Sequence, residues 1–216
     1  MSPFQRVSFV ASPAPRLAQG AFTLVEVILV TLVTAILAVL LVPTIGGARE
    51  RASTIECAGQ LRQVGHAIAQ YASENGGLLP GPLWTAQAPL ASRDNQNVVW
   101  LGGYLAPYLG VNLPNGVTTT FVTVPAMFCP VNQRNKVPRG TSMWTVNDTI
   151  NMEGSIRSPF GHPTRNPTPL RAFSVANPGS TWALRERDQG TPLAVVHRLA
   201  RNTLFFDWHV ESVRVP

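Results

Sequence analysis

Residues 20–43 read GAFTLVEVILVTLVTAILAVLLVP. This stretch is almost wholly apolar and contains a single ionisable side chain, Glu26. As a helix, residues 22–42 would be about 31 Å long, which matches the hydrocarbon thickness of a bilayer. The sequence therefore predicts a transmembrane helix, and it raises the question of why an acid lies near its beginning.

The residues before the apolar run carry positive charge. Arg6 and Arg16 precede it, and no Asp or Glu occurs among residues 1–21. This asymmetry predicts a cytoplasmic N-terminus and an exported remainder. A cleaved secretory signal is an alternative, but its apolar region should be about 7–15 residues long and end in a small-x-small site. A plain signal anchor is a second alternative, and it does not account for Glu26.

The hexapeptide AFTLVE, residues 21–26, follows Gly20 and opens the apolar run. It resembles the N-terminus of type IV prepilins and type II secretion pseudopilins. The resemblance implies that a prepilin peptidase cuts between Ala21 and Phe22 and that the new amine of Phe22 is methylated. The family's usual residue before the cut is Gly, which here lies one step earlier, at Gly20.

The same resemblance implies a role for Glu26. A cut before Phe22 makes Glu26 the fifth residue of the mature chain, where the family has its acid. The new amine lies one helical turn away, and the two charges compensate each other in a low dielectric. In a filament, the family implies that Glu26 meets the amine of a neighbouring subunit and fixes its axial register. A Glu that reaches towards the interface of a simple anchor is the alternative.

A helical pattern continues beyond Pro43. Apolar residues recur at steps of three and four as far as Tyr71, and the glycines Gly76 and Gly77 end the pattern. We predict one long helix, bent or loosened at Pro43. Its second half should pack an apolar stripe on a head domain.

The predicted fold class is α+β and pilin-like, with a long N-terminal transmembrane helix packed on a small antiparallel β-sheet head. Prolines and glycines lie mostly after residue 75, which is typical of a loop-rich domain with short strands. Short strands are predicted at residues 98–101, 119–124, 142–146, 170–175, 181–184, 193–196, 203–207 and 209–215. The predicted divisions are a cytoplasmic leader (1–21), a helix (22–75, with 22–42 in the membrane), an extracytoplasmic head (76–216) and a C-terminal hairpin (203–215).

Three further elements narrow the resemblance. CAGQLRQVG at residues 57–65, YASENGG at 71–77 and FCP at 128–130 are similar to elements of pilin-like proteins that are abundant in planctomycete and verrucomicrobial genomes. Cys57 and Cys129 both lie in these elements. That joint occurrence, with an oxidising exported side, favours a disulfide between them. The alternative is that Cys57 is a small buried residue.

His197 and Asp207 are separated by nine residues and resemble the His-x9-Asp-Gly element of the same group's C-terminal domain. Trp208 replaces the Gly, and Trp adopts the positive φ of a tight turn poorly. We predict that His197 and Asp207 hydrogen-bond across the sheet and hold the last hairpin in register. The alternative is a metal site formed by His197, Asp207 and His209, although no metal-binding motif is present.

Other kinds of site are disfavoured. Glu186 and Asp188 would suit calcium, but Arg185 and Arg187 flank them as competing cations. The sequence has no Gly-x-Ser-x-Gly and no glycine loop that would hold a phosphate. The formal charge of +6 is mild and scattered, so nucleic acid is an unlikely partner on sequence grounds. We predict no catalytic activity, no cofactor and no bound metal.

The resemblance implies a structural subunit of a type IV pilus or type II secretion pseudopilus. Its implied partners are other pilin or pseudopilin subunits, the prepilin peptidase, an inner-membrane assembly platform and membrane lipid. Its implied location is the inner (cytoplasmic) membrane, as a single-pass protein with a cytoplasmic N-terminus and an extracytoplasmic head. A membrane-anchored binding protein with a prepilin-type N-terminus and a DNA-binding minor pilin remain open alternatives.

Overall fold

The computed structural model describes residues 23–92, 100–113, 121–134, 136–138, 140–187, 197 and 200–214, with the backbone alone at 40–46. The chain divides into two compact units between Gly46 and Gly47. The predicted leader and the processing residues Gly20, Ala21 and Phe22 lie outside the described residues.

The first unit contains the beginning of α1, a helix that extends over Leu24–Glu74. In the part of the chain that the structure describes, no helix is both long and apolar enough to cross a membrane. The predicted fold class, which included a long transmembrane helix packed on the head, is therefore wrong.

The second unit begins with the remainder of α1. Its apolar stripe includes Leu61, Val64 and Ile68, which are fully buried in the main hydrophobic core. The helix ends at Glu74, where Gly76 and Gly77 adopt φ of 64° and 85°. Because glycine has no Cβ, it enters this left-handed region at little cost and ends the helix.

A five-stranded antiparallel sheet forms the centre of the second unit, with strand order β1-β4-β7-β8-β9. A two-stranded sheet of β2 and β3 and another of β5 and β6 lie outside it. The strands are β1 (Ala86–Gln87), β2 (Leu90–Ala91), β3 (Val122–Thr123), β4 (Trp144–Val146), β5 (Ile150–Met152), β6 (Ser155–Arg157), β7 (Trp182–Glu186), β8 (Ala200–Phe205) and β9 (Val210–Arg214).

Short helices connect the strands. α2 (Leu101–Leu105) and α3 (Pro130–Arg134) are one turn each, and 3-10 turns occupy Ala106–Leu109, Pro125–Met127 and Ala172–Ser174. The observed fold is therefore α+β, with an antiparallel sheet against the second half of α1.

The hydrophobic core lies where α1 meets this sheet. Leu204 of β8 pairs with Leu184 of β7 and with Val210 of β9. Leu204 also lies against α1, because a Cβ built on Gly65 would come within 2.8 Å of its side chain. The largest buried aromatic side chains, Trp144 and Phe160, complete the same core.

Candidate functional site

Glu26 forms a capping box at the beginning of α1. Its Oε2 accepts hydrogen bonds from the backbone N–H of Thr23 at 2.9 Å and from the Thr23 hydroxyl at 2.8 Å. The N–H of Glu26 donates in return to the Thr23 hydroxyl oxygen at 3.3 Å. This reciprocal arrangement satisfies backbone donors that a helix N-terminus leaves without partners. The structure thus gives the acid a local role that the sequence analysis missed, although the Thr-x-x-Glu spacing was visible.

The helix behind this cap presents apolar side chains to solvent. Four consecutive residues, 27–30, are all apolar, and successive helical residues point about 100° apart, so the apolar surface surrounds the helix. Leu24 and Val25 are 75% and 73% exposed. The exposed apolar side chains here are Leu24, Val25, Val27, Ile28, Leu29, Val30, Leu32, Val33, Ile36, Leu37 and Val39.

A disulfide bond joins Cys57 to Cys129 in the second unit. Cys57 faces inward from α1, and Cys129 directly precedes α3, with 5.3 Å between their Cα atoms. Both residues are buried and form a small hydrophobic cluster with Val131. The cross-link holds the segment before α3 against the helix.

His197 lies beside this disulfide and is buried. Its Nε2 is 3.9 Å from the Cys129 sulfur and 3.3 Å from Oε1 of Glu186. Its Nδ1 is 3.1 Å from the Thr54 hydroxyl on α1. His197 therefore pairs with Glu186, and the predicted hydrogen bond to Asp207 is wrong. The strand β7 ends with Glu186 on its inward face, so the carboxylate beside the His197 ring is that of Glu186 and not that of Asp207.

The carboxylate of Glu186 is fixed by the neighbouring strand. The backbone N–H of Asn202 donates to Oε2 at 2.9 Å, and the Asn202 side chain donates to Oε1 at 3.2 Å. The guanidinium of Arg201 donates to the main-chain carbonyl of His197. This buried arrangement also replaces the calcium alternative for Glu186, since its carboxylate faces the core; Asp188 lies outside the described residues.

Asp207 belongs to the turn between β8 and β9. Its Oδ1 accepts from the backbone N–H of His209 at 3.1 Å and lies 2.5 Å from the His209 ring. Burial raises the pKa of Asp207, but the hydrogen bonds from His209 outweigh it and hold the pKa below its ordinary value. Asp207 and His209 are thus together, whereas His197 faces Glu186, so the alternative metal site of these three residues is not formed.

Trp208 occupies the next position of the turn with φ of 70°. This is the left-handed conformation that a glycine would adopt at little cost. The side chain is half-buried at the edge of the main core, and its ring lies 6.4 Å from that of Phe206. Trp208 therefore keeps the backbone conformation expected of Gly, and packing of its ring offsets part of the cost.

Sequence reasoning missed the grouping of His197 and Glu186 with the two cysteines. The strand predicted at 181–184 ends two residues later in the structure, where β7 covers Trp182–Glu186. Because side chains alternate across a strand, that extension places Glu186 on the same face as the buried Leu184. A predicted strand that extended to residue 186 would therefore have indicated that Glu186 faces the core.

An open groove of about 630 Å³ lies along α1 beside α3. Among the described lining residues, the ionisable ones are Glu56 and Lys136, which do not amount to an acid–base or nucleophile arrangement. The lining residues are Glu56, Gln60, Thr123, Pro125, Phe128, Pro130, Gln133, Lys136, Val137 and Pro138.

No family model, no curated protein and no solved structure matches the chain. Three features stand out among the described residues: the capped apolar beginning of α1, the buried cluster around the disulfide, and the turn at Trp208.

Proposed function

We propose that the chain is a structural subunit that assembles with other copies, or with related subunits, into a filament of the type IV pilus or type II secretion pseudopilus kind. The observation that carries the proposal is the apolar surface of α1 over residues 24–39, exposed on all sides behind the Glu26 cap. A helix that is apolar on all sides is normally buried. Single proteins rarely expose apolar patches above a few hundred Å².

Contacts with other copies of the chain would bury this apolar surface. In a helical filament each copy presents the same apolar helix, so bundling these helices removes all of them from water together. Repeated contacts of this head-to-tail kind generate filaments. The proposal needs no catalytic group in this chain, and the sequence resemblance at residues 21–26 supports the same class of protein.

Glu26 would set the position of one copy against the next. Its bonds to Thr23 use the Oε2 atom, and Oε1 makes no hydrogen bond within the described residues. A cationic amine from a neighbouring copy would therefore find an acceptor there, and the predicted amine of Phe22 is one such group. Removing one partner of a buried ion pair costs about 3–5 kcal/mol, because the other charge stays uncompensated.

Processing between Ala21 and Phe22, methylation of Phe22, and a location at the cytoplasmic membrane with an exported head stay predictions from the sequence. So do the peptidase, the assembly platform and lipid as partners. The proposal rests on the described part of α1.

The experiment compares Glu26→Gln with wild type in cells that produce the full chain and its assembly machinery. Gln at this position of a capping box still bonds to the N-cap residue, so the helix keeps its cap and loses only the charge. We expect at least about a tenfold loss of sedimentable filaments, since 1.4 kcal/mol already gives tenfold. Electron microscopy and immunoblotting of sheared fractions measure the loss.

Glu211→Gln is the matched control, because it removes an exposed carboxylate from β9 and should leave assembly unchanged. Absence of filaments from the wild type would contradict the proposal and would favour a solitary anchored binding protein, whereas normal assembly of Glu26→Gln would contradict the role given to Glu26. Equal losses in both variants would mean that general charge, and not the position of Glu26, determines assembly.

A further inference from the structure

Four buried side chains from distant parts of the chain meet in the second unit. They are Cys57 on α1, Cys129 before α3, Glu186 at the end of β7 and His197. One ligand atom from each lies within 4.8 Å of all the others. Two sulfurs, an imidazole nitrogen and a carboxylate oxygen make a donor set that Zn²⁺ takes in four-coordinate sites.

The separations between these donors already suit a tetrahedral ion. Zn–S bonds of about 2.3 Å and Zn–N bonds of about 2.0–2.1 Å place neighbouring donors roughly 3.3–3.8 Å apart in a tetrahedron. The observed distances are 3.3 Å from His197 Nε2 to Glu186 Oε1 and 3.9 Å from Nε2 to the Cys129 sulfur. The disulfide between the two sulfurs is what keeps them from acting as two separate ligands.

We propose that this cluster is a redox-controlled metal site, which binds one Zn²⁺-like cation when the disulfide between Cys57 and Cys129 is reduced. The oxidised chain, with its sulfurs bonded to each other, does not bind the ion. The inference concerns the second unit and does not rest on filament assembly.

The surroundings of His197 prepare its Nε2 as a ligand. The Thr54 hydroxyl donates to the Glu50 carbonyl at 3.0 Å and lies 3.1 Å from Nδ1, so it is placed to accept a hydrogen bond from Nδ1–H and to leave Nε2 as the ligating nitrogen when an ion is bound. That nitrogen faces the sulfur of Cys129 and the oxygen of Glu186. Metal-binding histidines are commonly oriented by a hydrogen bond at the other ring nitrogen, and Thr54 supplies it here.

The carboxylate of Glu186 is held in the same manner. Asn202 donates to both of its oxygens, and the Asn202 side chain also donates to the backbone carbonyl of Thr54. Asn202 therefore links the Glu186 carboxylate to Thr54, the residue whose hydroxyl lies beside His197. A divalent cation with two thiolates and one carboxylate would carry a net charge of −1. The buried guanidinium of Arg201, bonded to the His197 carbonyl, is a positive charge beside the cluster.

The redox step balances with a dithiol as the reductant. The dithiol supplies two electrons and two protons and becomes a disulfide, while the S–S bond breaks and both cysteines become thiols. The cation then displaces both thiol protons to solvent, since thiolate is the form that ligates metal. Its four bonds go to two sulfurs, one nitrogen and one oxygen. In reoxidation, an external disulfide takes up two electrons from the cysteines and two protons from solvent and becomes a dithiol, the bond between Cys57 and Cys129 forms again, and the ion is released.

The test uses the purified full-length chain and Co²⁺ as the spectroscopic probe. The chain is reduced with a phosphine, which brings no thiolate ligands of its own, and is desalted without oxygen before titration. We expect one Co²⁺ per reduced chain, with the visible bands of a tetrahedral thiolate complex, and displacement by Zn²⁺. The unreduced chain should show neither. Circular dichroism in parallel establishes that the reduced chain is folded.

Two variants show whether His197 and Glu186 bind the ion together with the cysteines. His197→Ala and Glu186→Gln should each weaken Co²⁺ binding at least about tenfold, the scale on which even supporting residues act at metal sites. His209→Ala is the matched control, because it removes an exposed imidazole outside the cluster. A reduced chain without the bands, or one that unfolds on reduction, would overturn the proposal. So would unchanged affinity in either variant, since the substituted side chain would then not be a ligand.

Discussion

At the scale of single residues, Trp208 shows how a local rule is broken and offset. Left-handed backbone costs an ordinary residue about 1–2 kcal/mol relative to the right-handed form. Trp208 accepts this cost at φ of 70° in the turn between β8 and β9. Its N–H donates to the carbonyl of Phe205 at 3.0 Å, and its ring packs at the edge of the core. The sequence indicated the conflict but gave no sign of how the fold would resolve it.

The conflict can be measured by comparing two substitutions at this position. Trp208→Ala loses the packing of the ring and keeps the backbone cost. Trp208→Gly loses the same packing and relieves that cost. We expect the Gly variant to be more stable than the Ala variant by about 1 kcal/mol. Urea unfolding of both variants measures the difference, and equal stabilities would mean that the turn does not hold residue 208 at positive φ in solution.

At the scale of elements, the sequence predicted the features that arise from long apolar patterns and from residues that end a helix. The apolar stripe of α1 is buried as its spacing indicates, and the helix ends at Glu74 before two glycines. The hairpin of β8 and β9 lies close to the two predicted strands at 203–207 and 209–215. Such elements are fixed by many residues that agree with one another.

Short elements were not predicted, because their tertiary contacts decide them. Residues 170–175 were expected to be a strand, yet Ala172–Ser174 forms a 3-10 turn, in which the Ser174 hydroxyl donates to the Arg171 carbonyl. Residue 101 was expected at the end of a strand, yet it begins α2 with its N–H bonded to the Gln87 side chain. Strands of two residues, such as β1, have too few side chains to show any period. The predicted strand at 193–196 lies outside the described residues.

The contact between α1 and β8 gives a prediction at this scale. Gly→Ala in a helix normally stabilises by about 1 kcal/mol. A Cβ at Gly59 meets nothing within 4 Å, whereas one at Gly65 comes within 2.8 Å of the buried Leu204 side chain. Gly59→Ala should therefore raise the free energy of unfolding by about 1 kcal/mol. The free energy of unfolding of Gly65→Ala should be lower than that of Gly59→Ala by about 1–3 kcal/mol, which is the usual cost of overpacking.

Chemical denaturation of the two Gly→Ala variants with the wild type checks this contact. The comparison is matched, because both positions lie on the same helix and gain the same propensity. A Gly65→Ala chain as stable as Gly59→Ala would mean that α1 and β8 do not approach closely in solution.

At the scale of the whole molecule, the buried cluster around the disulfide is the feature that was hardest to predict from the sequence. Its members come from α1, the segment before α3, the end of β7 and the segment before β8, so only the finished fold brings them together. The sequence identified each residue separately: the cysteines as a pair, His197 with a hairpin, and Glu186 with calcium. No pattern of spacing joins them, because the alternation of β7 and the path of the segment before α3 jointly determine the contact.

The disulfide should contribute a large share of the stability of the second unit. It closes a loop with a sequence separation of 72, for which the chain-entropy account gives about 4 kcal/mol. The double variant Cys57→Ala/Cys129→Ala should therefore lose about 4 kcal/mol of unfolding free energy in non-reducing urea titrations. Since typical domains have about 5–15 kcal/mol in total, the variant should still fold. Under reducing conditions the wild type should approach the variant, and added Zn²⁺ should then stabilise the wild type alone. A wild type that loses nothing on full reduction would show that the cross-link does not constrain the unfolded chain.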